Sequence, residues 1–190
     1  MAELQKSLAA APDPAPRIII EVLLGLLLVL CLPALLFAPF GRDQGIYAWM
    51  AEGVLHGQRL YLEVWDHKGP LAPLLYALAF SLFGINEIAV RIFDILLLLA
   101  ALAALLYRRG LAGWSSAFFF LLLVCPDWWR SAQPDLWAAE FFVIAIALAT
   151  LKTVRADFVA GVAAGLCGWV ETGFAPPGPA FSGRVVGAGP

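Results

Sequence analysis

The chain has 190 residues, 62% of them hydrophobic and only 14% charged, with a net charge of −2. A soluble domain of this size carries about a quarter charged residues, and a near-neutral balance gives no basic field for nucleic acid. The apolar excess lies in long runs, which points to membrane spans among lipid and excludes an ordinary soluble core.

Residues 1–17 are polar and rich in Ala and Pro, with Lys6 and Arg17, and read as a disordered cytoplasmic start. Ile18 to Phe37 follows as an apolar run of about 20 residues, enough to cross ~30 Å of hydrocarbon as a helix. A secretory signal is the rival reading, but its apolar core would be only about 7–15 residues long. Glu21, one turn inside the span, can reach back to the interface.

A polar island, Arg42 to Pro70, then collects Asp43, Glu52, Glu63, Asp66, Lys68 and both histidines, His56 and His67. A membrane protein that gathers its charges beside the bilayer is usually building a site there. Asp43 suits an N-cap, and apolar positions 46, 47, 50 and 54 predict an amphipathic surface helix over Gln44–His56. Gly57 suits the position that ends such a helix, and Gln58–Asp66 reads as extended. Pro70–Phe83 is apolar, but at about 14 residues it is short for a crossing and reads as interfacial or re-entrant.

After the break Gly84–Glu87, Ile88–Tyr107 is a full span closed by Arg108 and Arg109. Further apolar runs occupy Trp114–Cys125, Leu136–Leu151 and Phe158–Val170. If the short run stays on the outer surface, Arg17, Arg108/Arg109 and Lys152/Arg155 all fall on the cytoplasmic side, as the positive-inside rule asks. The expected fold is therefore all-α: a polytopic transmembrane bundle with amphipathic surface helices in its first outer loop, residues 38–87. Cys31, Cys125 and Cys167 sit in or beside apolar runs and read as small buried hydrophobes, with no disulfide or zinc spacing. The Gly/Pro-rich stretch 171–190 breaks the last run, so that the fifth span has no evident partner to pack on. A truncated or frame-shifted product is expected, a natural disordered tail being the alternative.

The ordered set Arg-Asp-Gln-Gly-Ile-Tyr at 42–47, Gly57, Tyr61, Asp66-His67-Lys68-Gly69-Pro70, Phe83-Gly84 and Ala89-Val90-Arg91 resembles the membrane glycosyltransferases of the GT-C class. The nearest groups are the protein mannosyltransferases, the aminoarabinose transferases and the lipid A galacturonosyltransferases. The likeness covers about residues 18–155 and is concentrated in 42–91. Gln44 stands where the family often has a second acid, and Gly69 where it often has a proline. Such enzymes also have many more spans.

The resemblance implies inverting transfer of a sugar from a polyprenyl phosphate carrier to a lipid, glycan or protein hydroxyl. The reaction would take place on the outer face of a bacterial-type inner or plasma membrane. Such a reaction needs a carboxylate to take the acceptor proton, while the phosphate leaving group is already a stable anion that a cation can hold. Asp43 would be the base and Lys68 the phosphate contact, with Arg91 a second one.

Each residue also has a structural reading. Asp43 can be an N-cap only, Lys68 can snorkel to water, and Arg91 can pair with Glu87 at i−4 and Asp94 at i+3. Tyr47 and Tyr61 stand between packing and substrate contact. Asp135 matches the place where relatives bring another acid, with Asp127 and Glu140 as rivals, and Trp128 and Trp129 suit an interfacial belt. Some relatives hold a divalent metal near this loop, which would engage His67 and His56, but their spacing is not that of metal ligands. Two other readings remain: a transporter, which needs ionisable residues such as Glu21, Asp94 or Glu140 within spans, and a non-catalytic remnant.

Overall fold

A computed structural model describes residues 15–107, 111–124, 130–151 and 153–171. The expectations on residues 1–14, Arg108, Arg109, Cys125, Asp127, Trp128, Trp129, Lys152 and the 172–190 tail lie outside the described residues. The described residues form seven helices and no strand. They are α1 (Ala15–Phe37), α2 (Arg42–Leu55), α3 (Leu71–Phe83), α4 (Glu87–Tyr107), α5 (Leu111–Val124), α6 (Pro134–Ala149) and α7 (Val154–Glu171). α1 and α4 are long and apolar enough to cross a membrane.

Within α1, Arg17 and Glu21 pair at 2.6 Å one turn apart on the helix surface. α1, α4 and α5 bury Leu24, Leu35, Leu98, Leu102, Ala117 and Leu121 against one another. Cys31 is disulfide-bonded, which corrects its reading as a plain buried hydrophobe. Cys167 is free.

α2 and α3 are joined to each other and to the rest of the fold. They pack on each other, and Tyr47, Ala51, Tyr76, Ala77 and Phe80 join Val90, Trp137 and Phe141 in a second core. α3 keeps Leu74, Leu78 and Leu82 exposed on its other side, one turn apart each, so it has one protein-facing and one uncovered apolar face. The helix cap also differs from expectation. Gly41 is the N-cap, Asp43 stands inside the first turn, and Gln44 Oε1 accepts the Gly41 N–H at 3.0 Å. Gly57 ends α2 at φ +86, as its lack of a side chain allows.

The stretch after α2 is not extended. It folds into a tight turn closed by a bridge between Leu60 and Val64, with Tyr61 at φ 65 and Arg59 N–H bonded to Glu63 Oε2 at 2.7 Å. The turn lies so close to α2 that a Cβ on Gly53 would meet Val64 Cγ1 at 2.9 Å.

The last helix does have a partner. α7 packs along α6 through Ala156, Ala160 and Ala163, whose small side chains allow close approach. Its Val170 is fully buried and accepts the Gly69 N–H at 3.3 Å, tying the end of α7 to the polar loop.

Candidate functional site

The polar residues at the loop end fall into two groups. The first is a buried knot around Arg91, which is 1% exposed. Arg91 Nε donates to Ala38 O at 3.2 Å and Nη2 to Pro39 O at 2.9 Å. Nη1 donates to Ser131 O at 3.0 Å and Ser131 Oγ at 2.6 Å. The guanidinium also stands 5.3 Å from the centre of the Phe40 ring, a favourable place for a cation.

Asp94 completes the knot. It accepts from Ser131 Oγ at 2.9 Å, from Trp137 Nε1 at 2.6 Å and from the Ala132 backbone. Gln44 Nε2 donates to Ser131 O at 3.1 Å, and the Tyr76 hydroxyl donates to Ala132 O at 2.6 Å. Ala132 is held at φ 59, a left-handed backbone that a residue with a Cβ seldom adopts. Bonds to its N–H and its carbonyl from opposite sides keep it there.

The expected direct pairs of Arg91 with Glu87 and Asp94 are replaced. No ion pair of Arg91 occurs among the described residues, and Ser131 stands between it and Asp94. Glu87 instead accepts the Phe40 N–H at 3.3 Å. Arg91 thus ties the α1–α2 junction to the turn before α6. Its Nε, Nη1 and Nη2 each donate to protein oxygens.

The second group is a more open rim. Lys68 Nζ pairs with Asp135 Oδ1 at 2.8 Å, with side-chain exposures of 22% and 56%. Asp135 sits in the first turn of α6, where a carboxylate favours the helix dipole. The Tyr61 hydroxyl donates to Lys68 O at 2.6 Å and so shapes the loop under that lysine. Burial, and then the nearby Asp66, pushes the Tyr61 hydroxyl up to about 12. His67 is exposed and turned to its neighbour, its Nδ1 2.7 Å from Asp66 Oδ1.

Asp43 is half-buried in the first turn of α2, and among the described residues no side-chain hydrogen bond or ion pair holds its carboxylate. It is near enough to Tyr76 to interact with it electrostatically. Tyr47 is buried with its ring 5.8 Å from that of Tyr76, a packing position in the core. Lys68, Asp135 and Tyr61 are therefore in direct contact, while Asp43 and Tyr47 gather at Tyr76. The Ser131–Asp135 turn joins the two sets, because Tyr76 bonds Ala132 and Lys68 bonds Asp135.

Among the described residues no three His, Cys, Asp or Glu side chains converge as a metal ion requires. His56 Nδ1 is instead 2.7 Å from Glu52 O. The sequence reading missed Ser131, Trp137, Tyr76 and the side chain of Gln44. The signal for Ser131 was the short polar run Ser131–Asp135 between apolar segments. Tyr76 and Trp137 carried none, being single polar-tipped aromatics inside apolar helices. No family model, no curated protein and no solved structure matches this chain.

Proposed function

We propose that the chain is, or forms part of, a multi-pass membrane glycosyltransferase that moves a sugar from a polyprenyl phosphate carrier to an acceptor hydroxyl. The loop end faces outward in this reading, and the amino terminus faces the cytoplasm. The reading rests on the ordered loop motifs, and one observation supports it most. Gln44 and Gly41 cap α2, so Asp43 is left as a half-buried carboxylate with no side-chain bond among the described residues. Such a group can take a proton from an acceptor hydroxyl. Lys68 would hold the carrier phosphate as a point charge, exchanging its bond to Asp135 for one to the donor.

The test is transfer from polyprenyl phosphate donors bearing a pentose, a hexose or a hexuronic acid, in membranes carrying the protein in its native gene context. Asp43→Asn should lower transfer by about 100-fold or more, the usual contribution of a general base, while insertion is unchanged. Wild-type turnover by that variant would overturn the assignment.

A second reading, a transporter-like or non-catalytic membrane protein, draws on Asp94 and Glu140, two acids buried inside α4 and α6. Absence of transfer from every donor by the wild type would favour it.

A further inference from the structure

Glu140 is the seventh residue of α6, about 9 Å along the helix from Pro134 at 1.5 Å per residue. Its side chain is 0% exposed, and neither carboxyl oxygen has a hydrogen-bond partner among the described residues. In this it is unlike its buried polar neighbours Gln44, Arg91, Asp94 and Ser131, all of which are bonded.

The charges around Glu140 do not compensate it. α6 packs on α4 and α7. On α4 the group that acts on Glu140 electrostatically is another carboxylate, Asp94. Arg91, the cation of that helix, bonds Ala38, Pro39 and Ser131. On α7 the described charges Arg155 and Asp157 are exposed near the opposite helix end, and Cys167 is uncharged in its thiol form. Tyr76 of α3 donates to Ala132.

An isolated carboxylate in an apolar interior is far more costly than a neutral acid, and a second carboxylate nearby adds repulsion. Asp94 has three donors to stabilise a charge, and among the described residues Glu140 has none. The two acids therefore divide the roles.

We propose that Glu140 is a proton-binding site: a carboxylic acid that holds its proton inside the helix bundle beside the hydrogen-bonded Asp94. Its hydroxyl and carbonyl are both unused, so the proton leaves only when α6 separates from α4 or α7 and admits water or a cation. Intramembrane acids with this character mark proton relays and ion paths in membrane proteins. Proton release from Glu140 is thus linked to opening of the α4–α6–α7 packing.

Isotope-edited infrared spectroscopy of the intact chain in lipid vesicles tests this, at an alkaline pH where surface carboxyls are ionised. The expected result is a carboxylic-acid C=O band that moves when glutamate carboxyls are labelled with carbon-13 and is lost in Glu140→Gln. A wild-type spectrum without any protonated carboxyl band would overturn the proposal, because Glu140 would then be ionised. So would a band that responds to labelled aspartate and not to labelled glutamate, because the proton would then be on Asp94. The labelled wild-type spectra decide the matter even if the Gln variant fails to fold.

Discussion

The Arg91–Asp94 knot and the Lys68–Asp135 rim are each built from one cation and one acid at the same end of the bundle, yet they do opposite work. In the knot both partners are buried, and every bond goes to a neighbour that must stay in place: Ala38, Pro39, Ser131 and Trp137. In the rim the acid is more than half exposed, and the Lys68–Asp135 pair at 2.8 Å lies open to solvent on that side. Burial therefore separates structure from function here. A buried charge must be saturated by the protein, whereas an open one can exchange its partner for a ligand.

The contrast would break first at Arg91. Arg91→Met leaves Asp94 without its nearby cation and takes a donor from the Ala38, Pro39 and Ser131 carbonyls, of which Ser131 O keeps Gln44 Nε2. Removing one member of a buried charge network costs about 3–5 kcal/mol. Thermal unfolding of the purified protein in detergent should show this loss, and a stability equal to wild type would mean that the knot holds nothing together. Trp137→Phe should cost about 1.5–3 kcal/mol, because it deletes one hydrogen bond to a charged acceptor and leaves the other bonds of Asp94 in place. Lys68→Met belongs to the opposite class. Its stability should stay within about 1 kcal/mol of wild type, as for other partly exposed pairs, while binding of a short-chain polyprenyl phosphate is lost. A large stability change without a binding change would move Lys68 into the structural group.

Part of the architecture was legible in the residue order. The long runs at 18–37 and 88–107 became the two helices able to cross a membrane, because about 20 consecutive apolar residues meet that length requirement on their own. Gly57 was readable as a helix end because only its side-chain-free backbone takes a positive φ cheaply. The N-cap was misread by two positions. Asp43 and Gly41 are both acceptable caps, and the bond from Gly41 N–H to Gln44 selected between them. The stretch 58–66 was misread as extended, because bonds from Arg59 N–H to Glu63 Oε2 and from Tyr61 N–H to Val64 O close it into a turn.

The candidate site shows the same division. Composition and run length alone determined that this is an apolar, helical chain with its charges gathered in one loop, since those properties depend on each residue and its near neighbours. Which of those charges are spent and which stay open was decided by tertiary structure. Arg91 looked like a phosphate contact, and Ala38, Pro39 and Ser131, remote in sequence, accept from its guanidinium. Asp43 looked like a cap until Gln44 took that place. Glu140 looked like one more acid near a helix start until packing of α6 against α4 and α7 buried it with no hydrogen-bond partner among the described residues. A side chain's chemistry belongs to its type. Whether water, protein or ligand satisfies it depends on what the fold brings within hydrogen-bonding distance.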